Sequence, residues 1–266
     1  MRVIRKAAVS GSFYPDDPTQ LRQAVNTFLA SISTKQIPET IPPKALIVPH
    51  AGYSYSGSTA AKAFATIQSS HRDIKRVVLL GPSHRVGFRG IAFCSSDYFS
   101  TPLGTVPVDH SAFAAISTIP GVVLLDQAHA EEHSLEVQLP FLQSILDDFS
   151  VVPLVVGDID AAQVAKVIEK LWGSNETLII VSSDLSHFLS YDEANALDQH
   201  TCCAVEQLNP EAIGYEQACG RTPMKGLLEL ARDKALKVDT IELCNSGDTA
   251  GDRNRVVGYG AWAFYE

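Results

Sequence analysis

The sequence predicts an α/β fold in one domain, residues 1–266: a largely parallel, mixed central sheet with helices on both faces, plus a short antiparallel excursion. Three observations predict it. Continuous Val/Ile/Leu-rich runs at 45–48, 77–80, 122–125, 151–156 and 178–181 read as strands buried on both faces, the pattern of parallel sheets. Stretches with helical apolar spacing separate several of them, at 57–69, 134–147, 161–172, 190–207 and 223–235. The chain has 266 residues, 45% of them apolar, and a domain of that size buries about 70–75% of its unfolded surface, enough to cover a sheet on both sides.

In chain order, Ser10-Gly11-Ser12-Phe13-Tyr14-Pro15 reads as a loop. Asp17-Pro18 supplies an N-cap and a first-turn proline, and Leu21, Val25, Phe28 and Leu29 give the following helix an apolar stripe. Residues 34–44, with Pro38, Pro42 and Pro43, form a linker. The alternation of strands and helices then begins and is interrupted at 91–109, where Thr101-Pro102-Leu103-Gly104-Thr105 marks the antiparallel excursion. Pro140 falls inside the expected 134–147 helix, where it removes a backbone donor and should kink or interrupt it. Two apolar stretches at 238–243 and 256–264 close the sheet as a strand pair.

Composition narrows the function. The net charge of −9, with both signs interspersed, lacks the basic patch or stripe of a nucleic-acid binder. No run reaches the ~18 apolar residues of a membrane span, and the short, small-residue stretch after Lys6 is no signal-peptide core. A cytoplasmic protein with no membrane contact is expected. Five cysteines, at 94, 202, 203, 219 and 244, form no C-x-x-C pair and suit a reducing compartment.

The histidines carry the chemistry. His50 follows the run that ends at Val48, His84 comes four residues after Leu80, and His187 follows Ile180-Val181-Ser182-Ser183-Asp184. Ligands gather beyond the carboxyl ends of strands in open α/β sheets, and neutral imidazole is the commonest metal ligand. Each histidine alone also fits an ordinary turn, and Asp184 could simply cap a helix beginning at Leu185. A further cluster, His129-Ala130-Glu131-Glu132-His133-Ser134, lacks the H-E-x-x-H spacing of zinc proteases. Its glutamates suit a helix N-terminus, or else Glu132 and His133 reach the pocket. Cys244-Asn245-Ser246-Gly247-Asp248 is turn-like in composition but again follows an apolar run.

Taken together, Ser10-Gly11-Ser12-Phe13-Tyr14, Pro49-His50-Ala51-Gly52-Tyr53, Gly81-Pro82-Ser83-His84, Glu132-His133-Ser134, Val181-Ser182-Ser183-Asp184-Leu185-Ser186-His187 and Cys219-Gly220-Arg221-x-Pro223 resemble the Memo family, in family order and across nearly the whole chain. The resemblance implies a fold similar to class III extradiol dioxygenases, which use non-haem Fe(II). It also implies an association of bacterial and archaeal members with an AMMECR-type protein and a radical-SAM protein. By motif, it implies His50 and His84 as metal ligands and His187 as general base, with Asp184 beside it. The third ligand lies between Asp248 and Cys244. Register counted back from Val257-Gly258-Tyr259-Gly260-Ala261 favours Asp248, which would complete the two-histidine, one-carboxylate set associated with Fe(II), whereas Cys244 would favour zinc or copper. Glu132, His133 and Tyr53 would support the ligands or meet a substrate.

Three functions follow as expectations. The first is a mononuclear iron oxidoreductase acting on a small oxygen-rich substrate. The second is a non-catalytic metal-binding or regulatory protein, with Phe13, Tyr14, Tyr53 and Tyr55 lining a groove for a peptide or partner. The third is a zinc-dependent hydrolase.

Overall fold

A computed structural model describes residues 2–32 and 42–266; residues 34–41 of the expected linker lie outside them. The chain opens with β1 (Ile4–Arg5) and the helix α1 (Pro18–Ala30), where the Asp17 side chain accepts from the Gln20 N–H and Pro18 occupies the first turn. The buried strand β2 (Ala45–Val48) leads into α2 (Tyr53–Ala65), and then β3 (Arg76–Pro82). The excursion comprises β4 (Ile91–Phe93) and the hairpin of β5 (Tyr98–Thr101) and β6 (Gly104–Pro107), followed by α3 (His110–Ile116), β7 (Val122–Leu124) and α4 (Asp126–Ala130).

The expected 134–147 helix is divided. A single 3-10 turn over Glu136–Gln138 precedes α5 (Leu139–Ile145), so Pro140 lies in a first turn, where its missing N–H costs nothing. After β8 (Ser150–Val156), α6 (Ala161–Lys170) and β9 (Thr177–Ser182), no helix begins at Leu185. Instead the chain forms β10 (His187–Leu189), and α7 (Tyr191–Glu206) starts where the Glu193 carboxylate accepts from the Ser190 N–H (3.2 Å) and hydroxyl. The helix α8 (Arg221–Asp233) and the strands β11 (Lys237–Asn245) and β12 (Val256–Tyr265) complete the fold.

The main sheet runs β10-β12-β2-β9-β3-β8-β4-β7, with β11 on β12, and β1, β5 and β6 form a separate small sheet. Its centre, β2-β9-β3-β8, is parallel, while β12 joins β2, and β4 joins β8, antiparallel. These central strands are almost wholly buried, as their unbroken apolar runs require. The run at 122–125 behaves differently: it is the edge strand β7, with Val123 and Leu124 exposed. The helices flank the sheet, with α6 packed on α8 and α2 on β11 and β12. Among the described residues no helix is long and apolar enough to cross a membrane.

Register brings the site together. Val48 pairs with Ser182 and Leu80 with Val181, so the chains that continue to His50, His84 and Asp184 leave neighbouring parallel strands at one edge.

Candidate metal site

His50 is held by its backbone as well as its ring. Its N–H donates to Asp184 Oδ1 (2.7 Å), and the preceding Pro49 carbonyl accepts from Gln138 Nε2 (2.9 Å). Ser182 Oγ lies 2.9 Å from His50 Nδ1. That hydroxyl gives its one proton to the Ser134 carbonyl (2.6 Å) and already accepts from Gln138 Nε2 (2.8 Å). Towards His50 it can therefore only accept, which places the imidazole proton on Nδ1 and leaves Nε2 as a lone pair.

His84 reaches the same state by another route. Both its N–H (2.6 Å) and its Nδ1 (2.8 Å) donate to the Glu132 carboxylate, which also accepts from the N–H groups of His133 (3.0 Å) and Ser134 (2.9 Å). Burial alone would raise the Glu132 pKa, but these bonds and the His84 charge outweigh it and bring the carboxyl down to about 2. An ionised carboxylate only accepts, so His84 Nδ1 carries a proton and Nε2 is the nitrogen turned away from Glu132. A carboxylate behind an imidazole in this way orients it for metal binding. The close approach depends on Gly81: a Cβ there would lie 2.6 Å from Ser134 Oγ.

His133 completes the group. Its ring stacks on that of His84, centroids 4.5 Å apart, and lies 5.5 Å from that of His50. Its Nδ1 is buried and has no hydrogen-bond partner. One potential ligand atom from each of His50, His84 and His133 lies within 4.8 Å of the others. Burial, and then the charge of the neighbouring imidazoles, pushes His50 well below its usual pKa and His133 to about 4. Three converging imidazoles, one of them with a buried nitrogen that makes no hydrogen bond, could hold a cation.

The N-terminal segment fixes the loop that carries Glu132 and His133. The buried Arg5 guanidinium pairs with Glu136 and donates to the carbonyls of His129 (2.9 Å) and Glu132. Glu136 also accepts from the N–H groups of Ala8 (2.7 Å) and Val9 (3.1 Å) and from the Tyr14 hydroxyl.

Cys219, which sequence reasoning did not select as a site residue, stands 3.3 Å from His50 Nε2 through its Sγ. Burial and the nearby Asp184 raise its pKa to about 12 despite several hydrogen bonds, so it is a thiol here. The signal available in the sequence was the Cys219-Gly220-Arg221 motif. Asp184 is buried as well, but its carboxylate serves the N–H groups of His50 and Ala51 rather than His187, and burial lifts it to about 7 against those bonds. His187, at the start of β10, has its ring partly in solvent. Desolvation lowers its pKa, the Leu185 backbone opposes this, and His84 adds to it.

The structure does not bring the two expected third ligands to this group. Asp248 is exposed, accepting from the Tyr191 hydroxyl (2.6 Å) and the Asn245 N–H (3.1 Å), and Cys244 Sγ contacts Thr59 Oγ1 (3.1 Å). Both follow from β11, which stands two strands from β2 across β12, a lateral offset of about 10 Å. Tyr53 is a core residue whose hydroxyl donates to the Val137 carbonyl (2.7 Å), and Tyr14 is buried beside it. Of the four aromatics expected in a peptide groove, Phe13 packs on His133 and only Tyr55 is exposed.

A family model described as Memo-like protein matches residues 5–263. A MEMO1 family protein of Aquifex aeolicus is 37% identical, covering 96% of this chain and 97% of its own length. One of Sulfolobus acidocaldarius is 34% identical over 97% and 98%, respectively. The crystal structure of an uncharacterized Escherichia coli K12 protein superposes with a TM-score of 0.54 at 12% identity, covering 82% of this chain and 98% of that one. That likeness is one of fold.

Proposed function

Because the chain belongs to the Memo family, matched from residue 5 to 263, we propose that it is a metal-binding protein whose histidine group holds one first-row transition-metal ion, Fe(II). The proposed reaction class is O2-dependent oxidation of a small oxygen-rich molecule, as in the dioxygenases that the family resembles. One observation carries the metal reading: His50 and His84 both turn Nδ1 to an acceptor, Ser182 or Glu132, and so have Nε2 as the nitrogen to offer a cation. His133, with its unpartnered buried nitrogen, is the third donor.

When bound, the ion supplies Lewis acidity, lowering the pKa of a hydroxyl or water in its open positions. The protein's own groups orient and move protons. Glu132 stays ionised and holds the His84 ring, and Ser182 does the same for His50. Asp184 accepts from the His50 and Ala51 N–H groups and so holds the backbone that carries the His50 ring. His187, neutral and partly open to solvent, is the base proposed to exchange the proton with water.

Zinc, and with it hydrolysis, is the second reading. The observation favouring it is the donor set itself: imidazoles beside a thiol, with no carboxylate left uncommitted, suit zinc or copper as well as iron. Metal analysis of protein purified without oxygen or chelator separates the readings. One iron per chain, lost in both His50→Ala and His84→Ala, is expected. Full occupancy in both variants overturns the site, and stoichiometric zinc in the wild type replaces the iron reading with the hydrolase one.

A further inference from the structure

A cavity of 520 Å³ opens beside the histidine group, within the size range of small-molecule pockets. Ser83, the neighbour of His84, and Cys219, in contact with His50, both line it. Phe88 and Ile159 are the large apolar side chains on its other walls, beside Asp158, Tyr215 and Thr222. Into this setting α8 delivers Arg221, on its first turn.

Arg221 is placed unusually for a surface arginine. Its guanidinium lies 4.3 Å over the ring of Tyr215, which also lines the cavity, and among the described residues it makes no ion pair or side-chain hydrogen bond. Stacking uses the face of a guanidinium and leaves the in-plane N–H fork open. The first turn of a thirteen-residue helix adds a favourable field for negative charge at the same point. The remaining charge on the wall is Asp158, an exposed carboxylate 3.8 Å from Arg89. A wall with one guanidinium and one carboxylate does not suit a dianionic phosphate, but a single fork matches a single carboxylate in shape and charge.

We propose that this cavity is a binding site for a small organic acid, in which Arg221 anchors the ligand's carboxylate and Phe88 and Ile159 meet its carbon body, directing it past Cys219 towards His50 and His84. The assignment rests on the metal-site reading for what becomes of the ligand, but not for its binding. Arg221 thereby sets the substrate class as small monocarboxylates.

Benzoate, benzyl alcohol and phenyl phosphate are the probes, titrated into the full-length protein as purified, with metal content measured on the same sample. Benzoate should bind saturably and more tightly than either benzyl alcohol or phenyl phosphate. Arg221→Gln should weaken benzoate by at least about tenfold, the loss of a charge-assisted pair, with no change for benzyl alcohol, metal content or the unfolding midpoint. Arg221→Lys, which keeps the charge and loses the fork, should fall between. Failure of benzoate to bind the wild type, equal affinity in Arg221→Gln, or a preference for phenyl phosphate overturns the proposal. His50→Ala distinguishes the two readings. Retained benzoate binding there supports the Arg221 site whatever the metal content, and lost binding moves the carboxylate to the histidine group. Retained metal in that variant sinks the metal reading alone.

Discussion

Glu132 and Asp184 are both buried carboxylates beside the histidines, and their surroundings drive them in opposite directions. Glu132 sits where a loop turns three backbone N–H groups and one imidazole on it, and is held at about 2. Asp184 has the His50 and Ala51 N–H groups and a more distant His84, too little to offset its burial, and stands at about 7. Whether each carboxyl carries charge is therefore set by the balance between its burial and the number and nature of its donors. The first is an anion that places a proton on His84 Nδ1, and the second a group that gains and loses a proton near neutrality in the metal-free protein.

The sharpest way to break this contrast is to remove Glu132. Glu132→Ala strands the His84 Nδ1–H and three N–H groups, and should cost about 3–5 kcal/mol in chemical denaturation. Glu132→Gln keeps the shape without the charge and should weaken metal binding by about 10–100-fold in a chelator competition. Unchanged affinity in the glutamine variant would deprive Glu132 of its orienting role.

Asp184→Asn tests the opposite limb. A carboxyl raised from 3.8 to about 7 binds more protons folded than unfolded, so its contribution to stability is lost as pH rises through that interval. The asparagine keeps an acceptor for the His50 N–H and does not titrate. In metal-free protein its stability relative to wild type should improve between pH 4 and pH 8, by about 2–4 kcal/mol. A gap that does not change with pH would show that Asp184 stays ionised.

His133→Phe comes next in size. His133 is lowered from 6.5 to about 4, so the unfolded chain takes up a proton that the folded one refuses, and stability falls as pH drops through this window. The phenylalanine removes that proton, and the variant should gain on metal-free wild type by about 2 kcal/mol between pH 7 and pH 5. The smallest effects belong to the residues at the end of β11. Asp248→Ala and Cys244→Ala should each cost about 1 kcal/mol or less and leave metal content intact. Metal loss in either would return it to the ligand set.

The contrast also marks what a sequence exposes. His50 and His84 are conspicuous because each follows an apolar run whose burial on both faces fixes where the strand ends. Glu132 and His133 have no such marker, since they lie on a loop between the short helix α4 and a single 3-10 turn, held by Arg5 from the far end of the chain. Cys219 is hidden for the same reason: the chain returns to His50 only after α7 and two short turns. Asp248 misleads because a glycine- and aspartate-rich stretch after a strand looks alike whether it binds an ion or closes a turn, and here Asn245 and Asp248 cap a turn. The three-residue β10, with Phe188 at φ 64, leaves no periodic trace at all.

The span of chain that the site draws together has a consequence for how the protein is made. Ser182 is 132 residues from His50, Cys219 is 169 from it, and Glu136 is 131 from Arg5. At translation speeds of about 5–20 residues per second, His50 leaves the ribosome roughly ten to thirty seconds before Cys219 does. During that interval it has neither its acceptor nor its neighbouring thiol, and the strand β12 that flanks β2 is later still. The pocket is consequently completed only once β12 registers against β2. Until then His50, His84 and His133 are separate imidazoles along the chain, and only the folded protein presents them as one group.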